Sequence, residues 1–409
     1  MPERADNSPA WILRRALKVA AAEALVLARV HRLVGALRRR EAGGTRLLVV
    51  SFHRATLDFA ASARAAIPSL FVSTDTLERQ LRQLAAAREV VSLGDARRLL
   101  AEPPGRRRDL AVVTFDDGYA DNHHVALPVL ARLGLPASFF VATGFIGTRR
   151  RFPHDRLFAT LTELWRRGVP YERARLPAPS QALLGACAER GPAATLDRLI
   201  ARLAPPDLEA LAGALEARLG LGEEDLPASG RAMTWDEVRA LDAAGMDVGG
   251  HGVSHAVLTS LPLDAARREI AGCRAQLAER LGKQPRHFAY PNGYHGAAVR
   301  RAVREAGFEL AVTTEDREHV AGGDPMLVPR KVLWENSTLG PRAYNPALAT
   351  CNLEGVFQAL GLTRPVSGER PDADADVEGA EGAAEAAPRG RGAPPQGAKP
   401  KPGAERAVS

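Results

Sequence analysis

An alternation of short apolar strands with amphipathic helices constrains this chain more than any other feature. Leu47-Leu48-Val49-Val50-Ser51-Phe52 reads as a strand ending in His53-Arg54. A helix follows over Ser73–Ala86, opened by Ser73 and Asp75 as caps, and then a short strand, Glu89–Leu93. A second apolar strand, Leu110–Phe115, carries Asp116-Asp117-Gly118-Tyr119 at its end. The spacing predicts a helix over His124–Leu133 and a strand over Ala137–Ala142. The rhythm resumes later with helix Thr234–Ala244, strand Asp247–Gly249, helix Leu263–Leu281, strand His287–Ala289, helix Gly296–Ala306 and strand Leu310–Thr313. Such alternation argues for an α/β fold, a parallel sheet or barrel of βα units. Chemistry in these folds gathers where strands end, and His53 and the Asp pair both sit at strand ends.

Two stretches depart from the pattern. Residues 150–230 are rich in Ala, Leu and Arg with few β-branched side chains, which predicts a helical insertion. From Pro365 the chain turns to Ala, Pro and Gly with scattered charge, so residues 363–409 read as a disordered tail that cannot bury enough apolar surface. The expected layout is an N-terminal helix over 1–45, a catalytic domain over 46–362 and that tail. At 45% hydrophobic, the 409 residues are globular rather than disordered throughout. The three cysteines, Cys187, Cys273 and Cys351, form no CxxC pair and lie far apart, which excludes a disulfide framework and a thiolate zinc site.

Charge is uneven. Residues 1–46 hold ten Lys/Arg against four acids, a net +6 out of +7 for the chain. Leu13, Leu17, Ala20, Ala24, Leu27, Val30, Val34 and Leu37 recur there at helical spacing, predicting one long basic amphipathic helix. Such a helix either lies on an anionic membrane surface through residues 9–40 or packs across the catalytic domain with its charges solvated. The apolar stretch Val19–Val30 is broken by Glu23 and Arg29, too short to span a bilayer and a poor secretory signal. The expected location is therefore cytoplasmic, peripheral at the inner membrane face if the helix binds lipid. No zinc finger, aromatic-studded RNA-binding pattern or helix-turn-helix accompanies the charge, which argues against nucleic acid as a partner.

Two motifs carry the chemistry: Asp116-Asp117-Gly118-Tyr119 and His251-Gly252-Val253-Ser254-His255. Histidines at i and i+4 can point the same way from one tight turn, as metal ligands must. A carboxylate from another strand completes a two-His, one-carboxylate set with an open position, the arrangement of catalytic zinc. Adjacent side chains at a strand end point in different directions. One Asp can therefore ligate while its neighbour stays free as a base, which is the division of labour that metal-assisted hydrolysis needs.

Together with Phe288-Ala289-Tyr290-Pro291-Asn292-Gly293, the stretches 114–119 and 251–255 resemble the signature motifs of the polysaccharide deacetylase family, carbohydrate esterase family 4. Residues 233–258 resemble the segment leading into that family's metal histidines. Val49–Arg54 resembles the opening of the branch that includes the poly-N-acetylglucosamine deacetylases. The likeness covers about 46–335 apart from the insertion.

The resemblance implies an irregular (β/α) barrel of about seven strands. It implies removal of an acetyl group, most often from the nitrogen of N-acetylglucosamine. Asp116 matches the general base, and Asp117, His251 and His255 match ligands of a divalent metal, usually zinc, with cobalt or nickel as alternatives. The backbone N–H of Asn292 matches the oxyanion donor.

This sequence departs from the family pattern at three places. The Arg that often orients the catalytic Asp is replaced by Ala289; Arg330 is the candidate substitute and Arg286 a weaker one. The late histidine that commonly acts as general acid is absent from Val332-Leu333-Trp334, and His53 is the candidate in its stead. Asn292 stands where an aromatic is usual. Asp247 is expected either to support a ligand histidine or to cap the preceding turn. His123 and His124 read as solvated, Tyr119 and Trp235 as sugar-stacking or core, and His287 and His295 flank the third motif without an assigned role. Three functions remain open: a glycan deacetylase, a deacylase of a lipid-linked sugar or small amide, and a metal-free carbohydrate-binding barrel.

Overall fold

The computed structural model describes residues 9–42, 45–102, 109–170, 191–200, 205–222, 230–341, 343–363 and 368–372, with single positions 181, 184 and 203. Its strands in chain order are β1 (Arg46–Phe52), β2 (Arg54–Thr56), β3 (Phe71–Ser73), β4 (Glu89–Val90), β5 (Asp109–Phe115) and β6 (Ser138–Val141). The later ones are β7 (Asp247–Gly250), β8 (His287–Ala289), β9 (Leu310–Val312), β10 (His319–Val320) and β11 (Arg330–Val332). The fold is mixed α/β. Strands β1, β5, β6, β7, β8 and β9 pair in that order, all parallel, and β11 pairs parallel with β1 on its other side. The sheet curls until its two edges share one neighbour. Val328 bridges to Val312 of β9, and two residues further on β11 joins β1.

The central strands are apolar on both faces because both are covered. Leu48, Val50, Val113 and Phe115 pack with helix residues Leu77, Leu81 and Leu84, while Leu47, Val49, Val112, Val312 and Val328 form a second cluster on the opposite side. All seven residues of β1 are buried. Gly249 of β7 is required by this closeness: a Cβ there would lie 2.6 Å from the His287 carbonyl and 2.7 Å from the Phe140 ring.

The insertion is helical where it is described, with helices Pro153–Arg166, Pro192–Ile200 and Pro205–Leu219. They bury Leu157, Leu161, Leu196, Leu199, Leu211 and Leu215 in a core of their own.

Three expectations need correction. The N-terminal segment is two helices, Pro9–Leu27 and Val30–Glu41, because Arg29 takes the left-handed conformation (φ 57°) and breaks the run. The strand expected over Glu89–Leu93 stops at Val90, since Ser92 caps a new helix, Leu93–Leu100, by accepting from the Asp95 N–H. The tail does not begin loose at 363. Gly368 accepts from the His295 N–H, and the Asp372 carboxylate caps helix Ala297–Glu305 by accepting from Ala298 and Val299. Residues 373–409 lie outside the described set, as does Cys187. Among the described residues no helix is long and apolar enough to cross a membrane.

Candidate metal centre

Parallel register brings the two motifs together. Phe52 of β1 pairs with Phe115 of β5, Phe139 of β6 pairs with both Phe115 and Val248, and Val141 pairs with Gly250 of β7. The residues following these strands therefore meet at one level. The Asp116 N–H donates to the Phe52 carbonyl (3.0 Å), the Ala142 N–H to the Asp117 carbonyl (3.2 Å) and the His251 N–H to the Val141 carbonyl (3.0 Å).

Asp117 Oδ1 lies 3.4 Å from His251 Nε2 and 3.1 Å from His255 Nε2. Zinc bonds of about 2.0–2.1 Å at tetrahedral angles hold ligand atoms about 3.3 Å apart. Both histidine nitrogens thus stand at that spacing from Asp117, and all three ligand atoms lie within 4.8 Å of one another. His251 Nδ1 is 2.8 Å from the Ala289 carbonyl, which can only accept. That contact assigns the proton to Nδ1 and leaves the Nε2 lone pair facing Asp117, the tautomer a metal needs. Glu269, on helix Leu263–Leu281, accepts from the Val253 N–H (2.8 Å), the Ser254 N–H (2.8 Å) and Ser254 Oγ (2.9 Å). It therefore clamps the loop between the two histidines. Nothing in the sequence singled it out.

Asp116 faces a different partner. Arg330 donates from Nη1 to Oδ1 and from Nη2 to Oδ2, both at 2.7 Å, and its Nε donates to the Thr313 carbonyl at 2.9 Å. Both side chains are buried. Burial alone would raise the Asp116 carboxyl; the Arg330 guanidinium outweighs it and holds the group below the ordinary carboxylate range. Asp117 is held lower still against the same burial, chiefly by His255 and His251. Arg286, the weaker candidate, is instead exposed and pairs with Glu309.

Among the described residues four non-glycine positions have positive φ, and three belong to this site: Asp117 (73°), His255 (58°) and Asn292 (56°). Such conformations cost of order 1–3 kcal/mol each and persist where the surroundings impose them.

His53 is half-buried at the end of β1. Its backbone carbonyl accepts from Asn122 Nδ2 at 2.7 Å, and its ring acts electrostatically on Asp116 and Asp117. Asn292 is exposed, with its carbonyl accepting from Thr314 Oγ1 at 3.2 Å.

The insertion also reaches the centre. The ring of His154 lies 5.6 Å from that of His255. The buried Tyr119 hydroxyl donates to Asp155 Oδ2 (2.8 Å), so His154 Nε2, 2.7 Å from the Tyr119 hydroxyl oxygen, must donate to it. Arg54 stacks on Tyr119 and Phe71, each 4.3 Å from ring centroid to guanidinium carbon. Tyr119 is thus core-facing, and Trp235 is half-buried beneath Arg280.

Asp247 supports no ligand histidine. It begins β7, four residues and a whole strand below His251, and bonds His287 Nδ1 at 2.6 Å. His295 bonds Glu315 (3.1 Å). His124 pairs with Glu237 at 2.6 Å; among the described residues these two and His123 form the other cluster with metal-like spacing. There the Arg231 guanidinium already occupies Glu237.

A parallel α/β barrel with a buried His-His-Asp centre and a neighbouring paired carboxylate is the arrangement of a hydrolase. The polysaccharide deacetylase family matches residues 104–311, just over half of the chain, and the chain belongs to that family. It is accordingly a hydrolase of the group acting on carbon–nitrogen bonds other than peptide bonds. Solved structures similar to it include IcaB from Ammonifex degensii, at 20% identity and TM-score 0.47 over 76% of this chain and 99% of that one. Another is the Streptococcus pyogenes deacetylase PplD in complex with acetate, at 17% identity and TM-score 0.46 over 72% and 95%. A third is the deacetylase domain of BpsB from Bordetella bronchiseptica, at 15% identity and TM-score 0.43 over 71% and 97%. No curated protein matches the chain.

Proposed function

We propose that this chain is a divalent-metal N-deacetylase, releasing acetate from an N-acetylated sugar of a polysaccharide or other glycan. One observation carries the reading: ligand atoms of Asp117, His251 and His255 converge within 4.8 Å of one another while the adjacent Asp116 is paired with Arg330. Zinc, or cobalt or nickel on the same donors, would supply Lewis acidity to the acetyl carbonyl and to the attacking water.

The protein's own groups do the rest. Arg330 takes one lone pair on each Asp116 oxygen and Ser51 Oγ donates to Oδ2 (3.4 Å), which leaves a lone pair on Oδ1 to accept a proton from the attacking water. The Asn292 N–H donates to the oxyanion as the carbonyl carbon becomes tetrahedral. The carbon–nitrogen bond then breaks, and His53 gives its proton to the departing amine nitrogen.

Acetate release from N-acetylglucosamine oligomers, assayed beside metal content, tests the proposal. Asp116→Asn is expected to keep its metal and lose turnover by roughly 10²–10⁴-fold, the range of a general base. Undiminished turnover would remove Asp116 from the mechanism. His53→Gln should lower kcat with KM nearly unchanged.

A lipid-linked sugar is the second reading of the substrate, favoured by the uncovered apolar face of helix Pro9–Leu27. Leu13→Glu with Leu17→Glu should then lower activity on a lipid-linked acceptor and leave activity on soluble oligomers intact.

A further inference from the structure

Helix Pro9–Leu27 is apolar on two opposite faces. One face, with Val19, Ala22 and Val26, packs against Leu348, Cys351, Val356 and Phe357. Arg15 on that side is buried and donates to the Asn336 carbonyl. The other face carries Ala10, Leu13, Leu17, Ala20, Ala24 and Leu27 at alternating steps of three and four, and nothing in the described structure covers it. Leu13 is 60% exposed, Leu17 62% and Leu27 85%. Leu33 and Leu37 continue the apolar exposure on helix Val30–Glu41. A surface helix in water normally turns charge outward on this side; a helix apolar all round is one that has a second apolar neighbour.

The surrounding charge identifies that neighbour. Between residues 9 and 42 the acids are Glu23 and Glu41, against eight Lys/Arg. Of these, Arg14, Arg29, Arg32 and Arg40 are exposed and make no ion pair with a described acid. Apolar residues on the outer face of a helix with cations at its margin are the pattern of helices that lie in the interface of an anionic bilayer.

We infer that residues 9–41 dock this enzyme on an anionic lipid surface. Leu13, Leu17, Leu27, Leu33 and Leu37 enter the boundary between headgroups and acyl chains, and the four arginines contact lipid phosphates. The segment lies on the bilayer rather than crossing it, since neither helix is long and apolar enough to span. Other occupants fit less well. Residues 373–409 contain no Leu, Ile, Met or aromatic side chain and cannot cover such a strip. A second copy would bring two equally cationic segments face to face.

The test sediments the full-length protein with vesicles of phosphatidylglycerol and phosphatidylcholine, and separately with phosphatidylcholine alone. Binding to the mixed vesicles is expected to exceed that to the neutral ones by about tenfold or more and to weaken in roughly 0.5 M salt. Leu13→Glu with Leu17→Glu, and separately Arg14→Glu with Arg32→Glu, should each lower vesicle binding by about tenfold. Both pairs should keep the unfolding temperature and the release of acetate from soluble oligomers. Equal binding by the variants, absence of vesicle binding, or a wild-type dimer that Leu13→Glu dissolves would overturn the proposal. Asp116→Asn should bind vesicles like the wild type, so this result stands or falls apart from the catalytic reading.

Discussion

Asp116 and Arg330, 214 residues apart in the chain, form a closed two-bond fork in the barrel interior, each bond 2.7 Å long. A planar guanidinium matched to a carboxylate fixes direction as well as charge. Arg330 therefore holds the plane of the Asp116 carboxylate, a task Ala289 cannot perform.

Removing the fork leaves a buried charge without its partner. Arg330→Met is expected to destabilise the protein by about 3–5 kcal/mol in urea unfolding. Arg330→Lys keeps the charge and loses the geometry. It should lose less stability than Arg330→Met and still lower kcat, with KM nearly unchanged.

Metal should stabilise the fold in proportion to its occupancy. At a free zinc concentration about 100 times Kd the gain is about 2.7 kcal/mol, read as a rise in Tm reversed by a chelator. Asp117→Asn should abolish that rise. A chelator-sensitive Tm surviving in Asp117→Asn would mean that the ion sits elsewhere.

The Glu269 clamp gives a prediction away from the ligands. Glu269→Gln leaves Asp117, His251 and His255 intact but weakens the grip on Val253 and Ser254. Zinc affinity is expected to fall about 10–100-fold, with activity restored by excess metal. Unchanged affinity in a competition titration would assign Glu269 to loop stability alone.

His319 links stability to acid. Burial, with Arg317 nearby, pushes its pKa down to about 4, so the folded state favours the neutral ring. Its contribution is complete above the ordinary histidine value of about 6.5 and is lost as pH falls through about 4. The loss amounts to at most about 3 kcal/mol. His319→Gln should flatten the difference in unfolding free energy between pH 6.5 and 4 relative to the wild type.

The parallel run of β1 and β5 to β9 and both candidate metal motifs were readable because residue type, spacing and strand ends all agreed, whereas β2, β3, β10 and β11 are too short to show a period. Asp116-Asp117 and His251/His255 each signal through local pattern. Arg330 could be named only as a candidate, since its contact with Asp116 depends on how β11 returns to β1. Glu269 was invisible because a glutamate on a helix usually means a solvated face. Of the two readings of Asp247, support of a ligand histidine failed on direction: a strand of four residues places its first and last side chains at opposite ends of the barrel. Arg29 gave no warning either, as no Gly or Pro marks the break between the two N-terminal helices.

The stretch from Val328 to Val332 is the last stave of the cylinder, and it also carries the guanidinium that aims Asp116. Fraying of this one short segment would disarm Asp116 while most of the core stayed intact. Activity should then vanish on heating or in mild denaturant before the far-ultraviolet signal of the helices changes, because partial openings demand less free energy than complete unfolding.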